Sequence, residues 1–466
     1  QESLELHRKR LKITTSVNEI IEDKPYAYQI INGNQIEVPC NFVLNENILS
    51  FDFPKGYDKT LPLIIDPTLI FASYSGSTAD NWGYTSTYDD AGNLYGGGVT
   101  FGVGYPPTVG AYQVSFGGGN ATSYGGGCDI SISKFSADGT NLIYSTYLGG
   151  VDNESPHSLI VNTNNELLIL GSTSSNNFPT TVGAYDNTFG GGTAYNGTIP
   201  NYVNGSDITV SKLNATGNTL LASTYIGGTD NDGLNISSSL NYNYADDFRG
   251  EIVVDGSNNV YVASSTTSND FPVTAGAFQS SLSGMQDGCV FKLSPNLNSL
   301  LWSSYIGGTN DDAAYSLQFS KTGEVLVTGG TESPNFPVTA GALNTSYSNF
   351  ADAWVTKINS SGTSILASTF LGTGAYDQAY FVQLDSANNV YVVGQTEGAY
   401  PIFPSTVYNN PNSGQFLHKL DPNLSTTIFS TTVGTGSGAI DIALSAFLVN
   451  ECNYIFISGW GGVVNR

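Results

Sequence analysis

EIVVDGSNNVYVASST at 251–266, FPVTAGAF at 271–278 and DGCVFKLSPNLNSLLWSSYIGG at 287–308 together decide the fold. The first segment alternates apolar residues on either side of a DGSNN turn, which predicts a β-hairpin. The third predicts a second hairpin around Pro295–Asn298. Two hairpins in succession make a four-stranded antiparallel unit, the size of a propeller blade.

Outward from this unit the same paragraph recurs. NNELLILGST (164–173) pairs with DITVSKLNATGNTLLASTYIGG (207–228), and KTGEVLVTGGT (321–331) with DAWVTKINSSGTSILASTFLG (352–372). The closing phrase reads STYLGG at 145–150, STYIGG at 223–228 and SSYIGG at 303–308, with looser copies STFLGT at 368–373 and STTVGT at 430–435. The middle phrase reads YPPTVGAY at 105–112, FPTTVGAY at 178–185 and FPVTAGAL at 336–343, and decays to FPSTVYN at 403–409. A repeat of this length built from short strands implies a radial or stacked architecture. The unequal spacing of the copies favours a closed propeller over a solenoid. Strands such as VYVAS and VLVTG carry the small and β-branched residues expected where both faces are buried. Gly171, Gly329 and Gly394, late in the second strand, suit close packing or a bulge rather than phosphate binding.

The fold class is therefore all-β. A β-propeller of four-stranded blades, five complete and part of a sixth, occupies 67–466, and a partial β-sandwich-like domain occupies 1–66. TLIFASYSGS (68–77) matches a fourth blade strand, and IALSAFLVNECNYIFISGWGG (442–462) supplies the first two strands of a sixth blade. Strands from both chain ends joined in one blade would remove the free sheet edges. Strand 68–75 is thus expected to complete the final blade, with the rest of the ring beyond Arg466. Ahead of it, LKITTSV, KPYAYQII, NQIEVPCNFVL, ILSFDF and LPLIID are strand signals parted by turn residues.

The formal charge is −24; residues 1–66 hold 7 Lys/Arg against 10 Asp/Glu, and residues 67–466 hold 8 against 29. The acidity belongs to the repeats, which argues against nucleic-acid and anionic-lipid partners. No apolar run is long enough to span a bilayer, and no signal peptide is visible at the start. Cys40, Cys128, Cys289 and Cys452 show no CxxC spacing, which argues against zinc and for unpaired thiols.

The phrases FPVTAGAF, DAWVTKI and STYIGG resemble the bacterial SBBP β-propeller repeat, whose name denotes seven blades. KPYAYQIINGNQIEVPCNFVL and FPKGYDKTLPLIIDPTLIFASYSGS are similar to the domain that precedes this propeller in large surface proteins of gliding Bacteroidota. The resemblance implies export by the type IX route, an extracellular, cell-surface location, and an adhesin or motility-associated role. It implies contact with the secretion or motility machinery of the outer membrane and no membrane insertion. It carries no catalytic motif.

Three insertions are expected on one face of adjacent blades: GGGNATSYGGG (117–127), FGGGTAYNGTIPNYVNGS (189–206) and TDNDGLNISSSLNYNYADDFRG (229–250). They bring Tyr124, Tyr195, Tyr202, Tyr242, Tyr244, Phe248 and Arg249 among Asn and Gly, the residue types of glycan- or protein-recognition surfaces. After the GG marks come Asp152, Asp230, Asp232, Asp311 and Asp312. Carboxylates in such loops could ligate Ca²⁺, although the spacing is that of no EF-hand, and turn-forming acceptors are the plainer reading. Asp129, Asp207, Asp287 and Asp352, each opening a third strand, read as turn formers too.

An enzyme is the weaker expectation. No HExxH, GxSxG or P-loop occurs, Arg249 is the sole arginine between 11 and 465, and His157 and His418 are isolated. The adjacent carboxylates Asp246 and Asp247 leave a carbohydrate-active enzyme as the alternative. The first expectation is a non-enzymatic surface module binding glycan or protein; a passive spacer is the third.

Overall fold

The computed structural model describes residues 3–7, 10–14, 19–22, 24–45, 48–66, 75–119, 127–196, 200–243, 246–450 and 452–461. They form two units, 1–73 and 74–466. In the first, Ser3–His7, Arg10–Thr14 and Glu19–Glu22 make one antiparallel sheet, while Tyr26–Ile31 lies between Asn34–Glu37 and Ile64–Asp66. Asn41–Asn45 and Ile48–Asp52 form a hairpin, and Ala27, Val38 and Cys40 make a small core. The strand expected at 68–75 falls largely outside the described residues.

The second unit contains five four-stranded antiparallel sheets, each built from strands consecutive in sequence. Blade 1 is Asp80–Tyr88, Leu94–Phe101, Cys128–Phe135 and Leu142–Leu148; blade 3 is Glu251–Val254, Val260–Thr266, Asp287–Leu293 and Leu300–Ile306. Blades 2, 4 and 5 start at Glu154, Asp312 and Asp377, and a final hairpin pairs Ile442–Val449 with Ile455–Gly461. This is a β-propeller: the first strands of successive blades are neighbours, and the apolar cores lie between the blades. One core joins Leu168, Ile208 and Val210 of blade 2 to Val262, Phe291 and Tyr305 of blade 3. Burial on both faces explains why strand Val260–Thr266 hides all seven of its residues.

The repeat phrases turn out to be each other's packing partners. The aromatic of FPTTVGAY, Phe178, meets Tyr225 of STYIGG at 6.2 Å, and Phe271 meets Tyr305 at 5.9 Å. The phrase then runs beside the outermost strand. Thr181 N–H donates to Ser223 O at 3.1 Å, and Tyr225 N–H to Asp186 O at 3.1 Å. It ends on the next blade, where Tyr185 N–H reaches Leu297 O at 2.9 Å. The outer edge is thus covered and adjacent blades are tied together.

Each of five first strands carries a one-residue β-bulge at an equivalent place. The bulged residues are Tyr84, His157, Tyr315, Tyr380 and Ser445, read from the register shifts opposite Gly98, Gly171, Gly329, Gly394 and Gly459. These glycines are required by close approach. A Cβ on Gly329 would stand 1.9 Å from Ala313 O, and one on Gly394 would stand 2.2 Å from Gln378 O. A bulge re-aims a side chain, and here all five bulged residues line one cavity.

Among the described residues no helix is long and apolar enough to cross a membrane. All four cysteines are free, with Cys452 alone exposed.

Candidate functional site: the central cavity

Blade 3 departs from the pattern. Asp232 bridges Thr266 and Gly233 N–H donates to Ser265 O, so the first strand begins in register. The ladder resumes only at Glu251, opposite Ala263. The described residues 234–243 and 246–249 therefore stand where the other blades hold one bulged residue. The residue facing the bulge is Ser264 rather than glycine. The sequence had suggested a connection between blades at 229–250; the insert instead interrupts an inner strand, and it runs into the ring's interior.

Its contacts reach round the ring. On one side Phe248 sits beside Tyr84, His157 and Tyr202, with ring centroids 6.0 to 6.3 Å apart. On the other, Tyr242 stacks on Tyr376 of the segment entering blade 5 at 4.7 Å and donates to Glu397 at 2.6 Å. Asn243 donates to Tyr380 Oη at 2.8 Å and to Gln395 Oε1 at 2.7 Å. Leu240 O accepts from Tyr315 Oη at 3.0 Å and from Gln378 Nε2 at 3.0 Å.

Asp246 is the hub of the insert. Its Oδ2 accepts the backbone N–H of Tyr242 at 3.0 Å and of Asn243 at 2.6 Å, and Tyr380 O–H at 3.1 Å. Its Oδ1 takes Arg249 Nε at 2.6 Å, while Arg249 Nη2 donates to Leu444 O of the final hairpin at 2.9 Å. The guanidinium also lies 4.2 Å from the Tyr380 ring centre. Burial disfavours the Arg249 charge, but Asp246 and the tyrosines outweigh it and hold the group above its usual range.

The cavity beside this hub measures about 620 Å³ and is lined from every blade and the final hairpin. Tyr84, Phe381, Phe447 and Trp460 supply aromatic surface; Ser86, Ser158, Ser445 and Ser458 supply hydroxyls. Glu251 is the carboxyl in the lining, and burial pushes it up to about 7 despite hydrogen bonds from Ser316 and Leu317 N–H. Burial lowers His157 to about 3, so it is a neutral imidazole, with Nε2 on Ser172 Oγ at 3.1 Å. Such a site can take a neutral, polyhydroxylated ligand with apolar ring faces. Its volume suits a small-molecule pocket.

Of the expected binding residues, Phe248 and Arg249 line this cavity. Tyr202 is buried, paired with Tyr195 by two backbone hydrogen bonds of 2.8 Å and bonded to Ser172. Tyr195, Tyr202 and Tyr242 thus sit in the packing around the insert. Tyr124 and Tyr244 lie outside the described residues. Sequence reading missed Tyr84, Tyr315, Tyr380, Glu251 and Trp460. The glycine of each second strand, absent only from blade 3 of these sheets, was the available signal.

Of the acidic residues after the GG marks, Asp232 and Asp312 act as turn acceptors. Asp232 Oδ2 takes Gly228 N–H at 2.7 Å and Ser268 Oγ at 2.8 Å; Asp312 Oδ2 takes Gly308 N–H at 2.6 Å and Ser333 Oγ at 2.8 Å. Asp230 Oδ1 accepts Asn231 N–H at 3.0 Å, and Asp152 Oδ2 accepts Asn204 Nδ2 at 2.8 Å. Asp311 contributes its carbonyl to Glu332 N–H at 2.9 Å. Among the described residues no three His, Cys, Asp or Glu side chains gather as a set that could hold a metal such as Ca²⁺.

Residues 1–68 match a domain of unknown function, DUF7948. No curated protein matches the chain. Among solved structures, a protein of unknown function from Dyadobacter fermentans is 12% identical, over 83% of this chain and 95% of that one, with a TM-score of 0.40. NanB sialidase from Streptococcus pneumoniae, solved with a bound ligand, is 10% identical over 89% and 71%, with a TM-score of 0.43. BamB from Moraxella catarrhalis is 10% identical over 82% and 97%, with a TM-score of 0.30. These likenesses extend to fold alone.

Proposed function

We propose that this propeller is a non-enzymatic recognition module that holds a glycan in its central cavity. One observation carries the reading: a cavity of about 620 Å³ whose described walls combine aromatic rings with serine hydroxyls and one carboxyl. Aromatic faces pack on the apolar faces of sugar rings, and hydroxyls and Glu251 meet their edges. Most glycoside hydrolases use two carboxyls about the scissile bond. Glu251 is the one carboxyl in the described lining, and Asp246 is engaged by Arg249. Those facts favour binding over turnover.

Display on the cell surface, within an adhesin or motility-associated protein of the gliding Bacteroidota, belongs to the same proposal. Its support is the set of repeat phrases that resemble the SBBP repeat. A glycan array probed with the intact chain tests the reading. Binding of neutral oligosaccharides, lost in Trp460→Ala and Tyr84→Ala, supports it. Release of reducing sugar would instead establish the enzyme.

A further inference from the structure

At four successive blade junctions, two carboxyl groups flank one glycine. The acid that opens the third strand of one blade faces the acid that opens the first strand of the next. Around the Cβ position of Gly149 lie Glu154 Oε2 at 2.5 Å and Asp129 Oδ1 at 2.8 Å; around Gly307 lie Asp287 Oδ1 at 2.6 Å and Asp312 Oδ2 at 2.7 Å. Gly227 has Asp232 Oδ2 at 2.8 Å and Asp207 Oδ1 at 3.0 Å, and Gly372 has Asp377 Oδ2 at 3.0 Å and Asp352 Oδ1 at 3.2 Å. All eight acids are buried.

Among the described residues no Lys or Arg is a main influence on any of the eight. The charged or titratable groups that face the pairs are the carboxyls Asp186, Asp311 and Glu397 and the thiols Cys128 and Cys289. The remainder are tyrosines: Tyr147, Tyr202, Tyr225, Tyr305, Tyr347 and Tyr400. One oxygen of Asp129, Asp312, Asp352 and Asp377, Oδ1 in each, finds no donor at hydrogen-bonding geometry. Two ionised carboxylates so placed would repel in a medium of low dielectric.

The fifth junction shows what relieves this. There Gln415 opens the third strand and its Oε1 lies 2.9 Å from the Cβ position of Gly434, with Asp441 Oδ1 at 3.0 Å. An amide resembles a protonated carboxyl in shape and in carrying no charge; here its N–H donates to Ile442 O at 3.2 Å, so the exchange removes a charge rather than adding a donor to Asp441. Among the five described junctions the sequence writes a permanently neutral partner where the acid pair is lacking.

We propose that each of the four carboxyl pairs holds one proton, so that a neutral carboxyl donates to a carboxylate across the junction and clasps the ring. Burial supports this by pushing Asp129, Asp207 and Asp352 up to about 7, Asp287 to about 6 and Asp312 to about 8, with Glu154 and Asp232 also raised. Groups raised in the folded chain give stability that is complete below the ordinary carboxylate range. It is lost as pH rises through about 6 to 8. The ring is therefore closed most firmly in mild acid and loosens in alkali.

Infrared spectroscopy of the intact chain tests the clasp directly. The expected spectrum at about pH 7 retains a protonated-carboxyl carbonyl band. In Asp287→Asn, on a Glu251→Gln background that removes the cavity carboxyl from the band, it shrinks by about a quarter, and the fall of Tm between about pH 6 and 9 becomes shallower. A wild-type spectrum with no protonated-carboxyl band at neutral pH would overturn the proposal. So would a Tm that rises on adding Ca²⁺ with every carboxyl ionised, since a metal would then occupy the junctions. Should Asp287→Asn fail to fold, the spectrum of Glu251→Gln, freed of the cavity carboxyl, decides alone.

Discussion

Gly329 lies so close to Ala313 that a Cβ on it would stand 1.9 Å from the Ala313 carbonyl oxygen. The contact exists because Tyr315 is bulged out of the neighbouring strand toward the cavity. Gly329→Ala should therefore cost about 3 kcal/mol through forced backbone movement, read as a lower urea midpoint. Ser264→Gly, at the equivalent place in blade 3, should cost no more than about 1 kcal/mol. Equal losses in the two variants would show that the bulge does not set the requirement for glycine.

The insert predicts its own replacement. Residues 234–249 exchanged for one tyrosine, with Ser264→Gly, should give blade 3 the bulge that Tyr315 makes in blade 4. The product should fold with an all-β spectrum and lose ligand binding, because Phe248 and Arg249 leave the cavity wall. An unfolded product would mean that the insert's bonds to Tyr380 and Gln395 are needed for the ring itself.

Arg249 and Asp246 form a buried ion pair at 2.6 Å. Arg249→Met leaves the carboxylate unpaired and should cost about 3 to 5 kcal/mol. Arg249→Met with Asp246→Asn should recover part of that loss. Additive losses in the double-mutant cycle would contradict the coupling.

A second repeated ion pair sets the acid limit. Lys134 meets Asp89 at 3.0 Å and Lys419 meets Asp385 at 2.8 Å, both on third strands. Burial opposes ionisation of Asp385, yet the bonds from Lys419 and Asn389 outweigh it and hold the carboxyl down to about 2. A depressed carboxyl contributes stability above the ordinary range, near 4, that is lost as pH falls through about 2. Tm should thus fall in strong acid, and in Lys419→Met that fall should be smaller. An unchanged acid limb would remove this pair from the account.

The blades were legible because hairpin signals repeat with the same turn chemistry, as in VYVASST and VLVTGGT. The insert at 229–250 was legible as an excess of length but not as an interrupted strand. Register decides that, and Asp232 and Gly233 look like part of a loop until paired with Thr266 and Ser265. Tyr202 and Phe248 carry the sequence signal of recognition residues because an aromatic among Asn and Gly looks the same whether it faces solvent or packs beneath an insert. The cavity residues Tyr84, Tyr315 and Tyr380 lay inside ordinary strand sequence, and only the bulge turns them inward.

Ligand binding in the cavity is tested most directly by calorimetry on a panel of neutral oligosaccharides, comparing the intact chain with Ser445→Trp. Ser445 is an exposed, bulged residue on the cavity wall, so the larger ring can fill the space without entering a packed core. The expected result is saturable binding by the wild type and at least a tenfold loss, about 1.4 kcal/mol, in the blocked variant. Equal affinity in both would place the ligand elsewhere on the propeller and contradict the cavity as the recognition site.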